Sequence, residues 1–148
     1  MTQTNNLPRR PEDHGFEAVH QDEREWETLR FGGFQSKMLF HPHPERPTEP
    51  NAGLVRFEPG ASHPLHRHDF AQIWYILEGE FTIRGRTYGP GTMIFHADPH
   101  YEDEMHTATG GLWLLVQYPG PTTGKPAIYD GRFNVKARKP VAEERLDV

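Results

Sequence analysis

The amino-acid sequence predicts an all-β fold, an antiparallel sandwich or small barrel, and three observations support this class. Short runs rich in β-branched, aromatic and aliphatic residues follow one another from residue 36 onward. Glycine and proline separate these runs at roughly even spacing, as turns separate strands. The middle of the chain has no stretch with the apolar period of an amphipathic helix. Together these features indicate one β domain in a chain of 148 residues, long enough to bury roughly two thirds of its unfolded surface.

Three segments are expected along the chain. Residues 1–30 are rich in charge, asparagine and proline, which is typical of an irregular N-terminal arm draped over a domain. Residues 31–120 contain the β-rich runs and form the predicted β domain. Residues 121–148 begin as a turn-rich segment and end in a charged tail, so we expect a C-terminal extension that packs on the β domain or on a partner subunit.

The strands of the β domain are predicted from its β-rich runs. In chain order these runs are SKMLF, GLVRFEPG, QIWYILEGE, FTIRGRTYGPG, TMIFHADP and GLWLLVQYPGP. Between them, Glu78-Gly79-Glu80 predicts a tight hairpin and Tyr88-Gly89-Pro90-Gly91 predicts another turn.

Two of the runs, Ile73–Leu77 and Leu112–Val116, are apolar at every position. In a strand with one solvated face, apolar and polar residues alternate. Both faces of these strands are therefore expected to be covered. The cover is either the N-terminal arm or C-terminal tail, or a second subunit, and a homodimer is slightly favoured. Both runs are far shorter than the approximately 20 apolar residues that span a bilayer, so no membrane partner is expected.

Composition narrows the classes of function. The chain has 16 lysine and arginine residues against 21 aspartate and glutamate residues, a formal net charge of -5, and no basic stripe. Nucleic acid is therefore not an expected partner. The absence of cysteine excludes disulfides, zinc-thiolate sites and thiol nucleophiles, so any metal chemistry must use histidine, carboxylate or amide groups. The polar N-terminus lacks the apolar segment of a secretory signal, and a cytoplasmic location is expected.

A histidine cluster in the segment HPLHRHDFAQ is the strongest functional signal. Residues i and i+2 of a strand point the same way, so His66 and His68 project together, about 7 Å apart along the backbone and close enough to bind one ion. Gly60 supplies the turn before them, and Gln72 follows as an amide-oxygen ligand or a hydrogen-bond donor. These residues form the spaced pattern G-x5-H-x-H-x3-Q-x6-G, which ends at Gly79.

This pattern resembles the first motif of the cupin superfamily, G-x5-H-x-H-x3,4-E-x6-G, except that Gln72 stands where the family has glutamate. The second cupin motif, G-x5-P-x-G-x2-H-x3-N, is loosely matched in GRTYGPGTMIFHADPHYEDEMHT, with Phe95 and Ala97 at the proline and glycine positions if His100 is the histidine. The resemblance covers about residues 50–118. It implies a small β-barrel, the cupin or jelly-roll fold, with a metal ion at its centre and often a dimeric assembly.

His100 is the favoured third histidine ligand, and His106 is the alternative. Both have the same parity on a strand that begins at His100, and Ala97-Asp98-Pro99 forms a turn that would deliver His100 at the start of this strand. His63 is expected to point away from the site, and His96 is expected at the surface or rim.

Candidate catalytic residues flank His100. Glu102 and Glu104 share its parity, and either carboxylate inside the cavity would serve as an acid or a base. Glu102 and Tyr101 are the predicted proton-transfer residues. Trp74 and Phe95 are candidates for the apolar walls of the cavity.

The predicted metal site consists of His66, His68, Gln72 and His100 and lacks a carboxylate ligand. Three neutral imidazoles leave a divalent ion its full charge, which makes it a strong Lewis acid for an anionic bidentate substrate such as an enolate. This ligand set resembles that of the three-histidine cupins that cleave β-diketones and dihydroxyacetophenone with ferrous iron and dioxygen.

The resemblance implies a non-haem iron dioxygenase that cleaves a C–C bond in a small diketone or hydroxyketone, with Fe(II) as the favoured cofactor and dioxygen as a co-substrate. Zinc, nickel, manganese and copper are alternative ions, since sites of this type accept several metals. Two other functions stay open. One is an oxygen-independent, metal-assisted isomerase, epimerase or lyase, and the other is a non-catalytic cupin that binds a small molecule.

Overall fold

The computed structural model describes residues 16–28, 33–42, 46, 48–125, 133–134 and 139–140. Regular structure in this part of the chain is β apart from a short 3₁₀ helix, Gln21–Glu23. The strands are β1 (Glu27–Thr28), β2 (Phe34–Phe40), β3 (Asn51–Phe57), β4 (Ser62–His63), β5 (His66–His68), β6 (Ala71–Gly79), β7 (Phe81–Ile83), β8 (Arg86–Tyr88), β9 (Met93–His96), β10 (His100–Glu102), β11 (Met105–His106), β12 (Gly111–Tyr118), β13 (Phe133–Asn134) and β14 (Lys139–Pro140). The predicted all-β class is confirmed. No helix in the described residues has the length and hydropathy of a membrane span.

The strands of the domain form antiparallel sheets. A six-stranded sheet has the order β1-β2-β3-β12-β6-β9, and a four-stranded sheet has the order β4-β11-β7-β8. Strands β5 and β10 pair with each other. The two continuously apolar runs lie side by side at the centre of the larger sheet, in β6 and β12, where each strand has a partner on both edges.

The core lies between the larger and the smaller sheet and is built mainly from aromatic rings. Phe81 of the smaller sheet contacts Phe57 and Trp113 of the larger one, with ring centroids 5.2 and 5.0 Å apart. Trp113 stacks on Trp74 at 4.1 Å, with the ring planes inclined by 14°. Phe81 and Met105 have no exposed surface. This packing fixes the two sheets relative to each other, because close-packed interiors tolerate little change in volume or angle.

The outer face of the larger sheet is covered in one part and exposed in another. Trp26 of the N-terminal arm lies under Lys37 of β2 and Arg56 of β3, whose cationic groups are 4.7 and 4.1 Å from its ring centroid. At the other end of the sheet, Met93 and Phe95 of β9 are 64% and 62% exposed. The arm therefore contacts β2 and β3, and the homodimer expected from the apolar strands stays a prediction, as do the segment boundaries after residues 30 and 120.

A buried carboxylate fixes the loop that precedes β10. Asp98 accepts hydrogen bonds from the backbone N–H groups of Thr122 (3.1 Å) and Thr123 (2.7 Å). The Thr123 hydroxyl oxygen lies 2.7 Å from Oδ1 of Asp98 and 2.7 Å from the backbone carbonyl oxygen of Asp69. The loop at residues 97–99 is thereby tied to the segment that follows β12.

Candidate metal centre

The pairing of β5 with β10 brings the two histidine-bearing segments together. His68 lies opposite His100, and His66 lies opposite Glu102. Because opposed residues of a ladder point to the same face, and residues i and i+2 of one strand also share a face, these four side chains converge. Each is at least partly buried, and His66, His68 and Glu102 are no more than 5% exposed.

Glu102 lies at the centre of this cluster. Its Oε2 is 3.1 Å from Nε2 of His68, 3.6 Å from Nε2 of His66 and 3.9 Å from Nε2 of His100. Its Oε1 is 3.3 Å from Nε2 of His63. The prediction that the centre has no carboxylate nearby is therefore wrong. Glu102 lies two residues after His100 on β10, so its carboxylate points to the same side of the strand as the His100 imidazole.

The expectation that His63 points away from the site is also wrong, since this side chain is 2% exposed and contacts Glu102. The alternation that predicts its orientation assumes one continuous strand. Instead β4 ends at His63 and β5 begins at His66, so the alternation restarts after Pro64. Strand β4 pairs with β11, where His63 lies opposite the buried Met105.

Hydrogen bonds to the backbone fix which ring nitrogen of two histidines faces Glu102. Nδ1 of His66 lies 2.7 Å from the carbonyl oxygen of Pro64. Nδ1 of His100 lies 2.7 Å from the carbonyl oxygen of Ala97 and 3.0 Å from that of Phe70. A carbonyl only accepts, so Nδ1 donates and Nε2 of the neutral ring keeps its lone pair. Metal-ligating histidines typically make such outer hydrogen bonds.

These donor atoms fit a metal ion. Nε2 of His63, Nε2 of His100 and Oε2 of Glu102 are buried and have no hydrogen bond among the described residues. Imidazole lone pairs that face an ionised carboxylate need a positive charge between them, since unpaired buried polar and charged groups are costly. His63, His66 and Glu102 already offer three ligand atoms within 4.8 Å of one another. Nitrogen and oxygen donors of this kind suit divalent transition metals.

The charge states in the cluster follow from burial and from the neighbouring groups. Burial alone would raise the pKa of Glu102, but the imidazoles of His100, His68 and His63, when their facing nitrogens carry protons, hold it well below its usual range. Burial lowers the pKa of His63, although the Glu102 carboxylate opposes this shift. Burial also lowers the pKa of His96, to about 4. At neutral pH the site therefore combines an ionised carboxylate with neutral His63 and His96.

We expect the metal-free protein to lose stability as the pH falls from 6.5 to about 4. The folded-state pKa of His96 is about 4 and its ordinary value is 6.5, so the unfolded chain binds more protons in this window and acid favours unfolding. The lowered pKa of His63 acts in the same direction. The lowered pKa of Glu102 adds stability that is present above 4.5 and is lost as the pH falls further.

Thermal unfolding in a chelating buffer across this range measures the effect. The variant His96→Gln should show a shallower pH dependence between 6.5 and 4, because it removes one of the titrating groups. A melting temperature of the unaltered chain that stays constant over this window would contradict the prediction.

The remaining predicted ligand, Gln72, lies on the inner face of β6 and is 3% exposed. Its Oε1 accepts a hydrogen bond from the indole Nε1 of Trp74 at 3.0 Å. Trp74 is a wall of the same interior, with its ring centroid 6.3 Å from that of His63 and 4.5 Å from that of His96. The oxygen that the sequence assigns to the metal is therefore engaged with an indole, and ligation by Gln72 stays a prediction.

Several other candidates are not brought to the cluster. Tyr101 is 57% exposed and alternates with the inward-facing residues of β10. His106 and Glu104 are exposed and line a surface cleft instead. The reason is that β10 ends at Glu102 and β11 begins at Met105, so the alternation restarts. Phe95 is 62% exposed on the outer face, so it is not a wall of the cavity.

Sequence comparison finds a family that matches most of the chain. A sequence model described as the ChrR Cupin-like domain matches residues 14–119, well over half of the chain. The match includes every residue of the histidine cluster. No curated protein is significantly similar to the chain.

Solved structures share the fold. An RmlC-like cupin from Shewanella frigidimarina NCIMB 400 has a TM-score of 0.56 and 27% identity, covering 70% of this chain and 91% of that one. An acetylacetone dioxygenase from Acinetobacter johnsonii has a TM-score of 0.60 and 16% identity, covering 98% and 92%. The polyketide cyclase RemF from Streptomyces resistomycificus has a TM-score of 0.56 and 17% identity, covering 84% and 99%. The last two likenesses show the fold alone.

Proposed function

The chain belongs to the ChrR cupin-like domain family, and from this premise we propose that it is a metal-dependent enzyme whose ion binds among the histidines around Glu102. More specifically, we propose a non-haem Fe(II) dioxygenase that cleaves a C–C bond in a small diketone or hydroxyketone. The observation that carries the proposal is the buried Glu102 carboxylate surrounded by the imidazoles of His66, His68 and His100. Two imidazoles and one carboxylate with open positions bind Fe(II) in many non-haem oxygenases, and this cluster contains those donors together with one more imidazole.

The ligands in this proposal are His66, His68 and His100, with Glu102 beside them. When bound, the ion would act as a Lewis acid on two substrate oxygens and would activate dioxygen. The carboxylate reduces the net charge of the site to about +1, less than three imidazoles alone would leave. The site therefore retains an attraction for an enolate, but a weaker one than the sequence alone suggests.

The residues around the cluster are suited to exclude water and to orient a planar substrate. Phe70 is 3% exposed, and its ring centroid is 4.7 Å from that of His68. The Trp74 indole and the His96 imidazole form a second aromatic wall, with the His96 centroid 4.6 Å from that of His100. Apolar walls with a few polar groups are typical of small-molecule sites, and a dry site strengthens every electrostatic interaction inside it.

Elemental analysis of the purified protein and oxygen uptake test this function together. We expect bound iron, and oxygen consumption by the Fe(II)-loaded protein with small β-diketones or hydroxyaryl ketones. Mixing the same substrates without oxygen should abolish turnover. Product formation under argon at an undiminished rate would rule out the dioxygenase reaction.

A second candidate is an oxygen-independent isomerase, epimerase or lyase. It is favoured by the contact between Glu102 Oε1 and His63, since a carboxylate and an imidazole 3.3 Å apart can transfer a proton to or from a substrate carbon. Turnover under argon by the zinc- or nickel-loaded protein would support this candidate. Tight metal binding without turnover of any tested ketone would instead favour a protein that only binds a small molecule.

A further inference from the structure

Position 72, where the first motif of the resembling family has glutamate, carries an uncharged amide in this chain. Gln72 lies on β6 of the larger sheet, opposite Gln117 on one side and His96 on the other. Its oxygen accepts the Trp74 indole hydrogen bond. Trp74 in turn is 2% exposed and stacked in the core, so this hydrogen bond is rigidly placed. The larger sheet therefore supplies no negative charge at this position.

A carboxylate is supplied to the same histidines from another strand. Glu102 on β10 lies opposite His66, and its Oε2 is within 3.9 Å of Nε2 of His66, His68 and His100. These are the three imidazoles that the two motifs bring together. We propose that Glu102 is the anionic metal ligand of this chain, transposed from β6 to β10, and that His63 is the positioning residue that holds it. This inference rests on the metal site of the proposed function.

The role of His63 follows from its hydrogen bonding. The carbonyl oxygen of Pro64 lies 2.7 Å from Nδ1 of His66 but 3.4 Å from Nδ1 of His63. The shorter bond belongs to His66, and the 3.4 Å contact does not fix the tautomer of His63, so the ring proton of His63 can occupy Nε2. That nitrogen has no hydrogen bond among the described residues, and it lies 3.3 Å from Oε1 of Glu102. In the metal-bound site, donation from Nε2 of His63 to Oε1 would leave Oε2 directed at the three imidazoles. Hydrogen-bonded outer partners of this kind orient ligating carboxylates.

An exchange of charge between the two positions tests the transposition. The variants are Glu102→Gln, Gln72→Glu and the double variant Gln72→Glu/Glu102→Gln, which keeps the net charge of the chain. The readout is the dissociation constant for Co(II), measured by titration of the metal-free full chain, with thermal unfolding as the control for folding. We expect Glu102→Gln to weaken Co(II) binding by more than about 100-fold, beyond the range typical of outer residues, and the double variant not to recover it.

Two outcomes would overturn the transposition. One is an unchanged Co(II) affinity in a folded Glu102→Gln variant. The other is recovery of the original affinity in the double variant, which would make position 72 an equivalent ligand site. If the unaltered chain bound neither Co(II) nor Fe(II), the proposed function would be overturned together with the transposition. If the unaltered chain bound metal and only the variants departed from expectation, the transposition alone would be overturned.

A second pair of variants tests the positioning role of His63. His63→Leu should weaken Co(II) binding by about 10- to 100-fold, and His63→Gln, which retains an N–H donor, should recover part of this loss. The visible absorption of bound Co(II) should keep its intensity and position in both variants, because the ligand set is unchanged. A spectrum altered in the same way as that of His68→Ala would make His63 a ligand and overturn the positioning role.

Discussion

Replacing His100 by alanine is expected to weaken binding of divalent metal by at least about 100-fold, which exceeds the usual effect of losing an outer residue. The reason is that His100 presents its Nε2 lone pair toward the cluster while two backbone carbonyls hold its Nδ1. The substitution removes one of three converging imidazoles and leaves Glu102 with fewer compensating partners. Metal content after dialysis and the dissociation constant from titration both measure this loss. Oxygen uptake should fall with the metal content.

The matched control is His106→Ala. His106 is exposed on β11, opposite Ser62 and Thr82, and it does not contact the cluster. This variant should therefore retain the metal content and affinity of the unaltered chain. Equal retention of metal in both variants would exclude His100 as a ligand, and selective loss in His106→Ala would require a different arrangement of β10 and β11.

Replacing Trp74 by alanine is expected to lower the free energy of unfolding by about 3–5 kcal/mol, the usual cost of removing a large buried aromatic ring. Trp74 is 2% exposed and stacks on Trp113 at 4.1 Å. Its loss would leave a cavity beside the histidine cluster and an unpartnered oxygen on Gln72, since Nε1 of Trp74 donates to that oxygen. Denaturant unfolding followed by circular dichroism measures the change.

Two further variants separate the contributions of Trp74. Trp74→Phe keeps an aromatic ring but removes the donor to Gln72, so it should cost less, about 1–3 kcal/mol for the unsatisfied buried amide together with the lost volume. Phe95→Ala alters a ring that is 62% exposed on the outer face, and its effect on folding should be within about 0.5 kcal/mol. If Trp74→Ala unfolded at the same midpoint concentration of denaturant as the unaltered chain, the stack of Trp74 on Trp113 would not stabilise the core.

Local periodicity was sufficient to predict the fold class and part of the site. The alternation of side chains along a strand predicts that His66 shares a face with His68, and His100 with Glu102, and the structure has both pairs on one face. The same alternation predicts that Tyr101 faces outward whenever His100 faces inward. The prediction of Tyr101 as a proton-transfer residue therefore conflicted with the alternation that selected His100. The Tyr101 side chain is 57% exposed, as the alternation predicts.

The rest of the site depends on where strands end and which strands pair. His63 and His106 are each separated from the neighbouring site residue by a short break, after which the alternation restarts, and sequence alone does not locate such breaks. The distance of Glu102 from His68 is set by the register between β5 and β10, a long-range contact that no local pattern encodes. Phe95 lies in a strand whose sequence, MIFH, has an apolar residue on each face, so the pattern could not choose its direction.

The hydrogen bonds of Asp98 indicate how much of the chain is needed to hold the His100 ring in place. A fragment that ended with the family match at residue 119 would keep both large sheets and every residue of the histidine cluster. It would lose Thr122 and Thr123, whose bonds hold Asp98, and thus the restraint on the neighbouring Ala97 carbonyl that orients the His100 ring. The segment beyond β12 therefore supports the histidine cluster from outside the strands, and a fragment that keeps this support extends at least to Thr123.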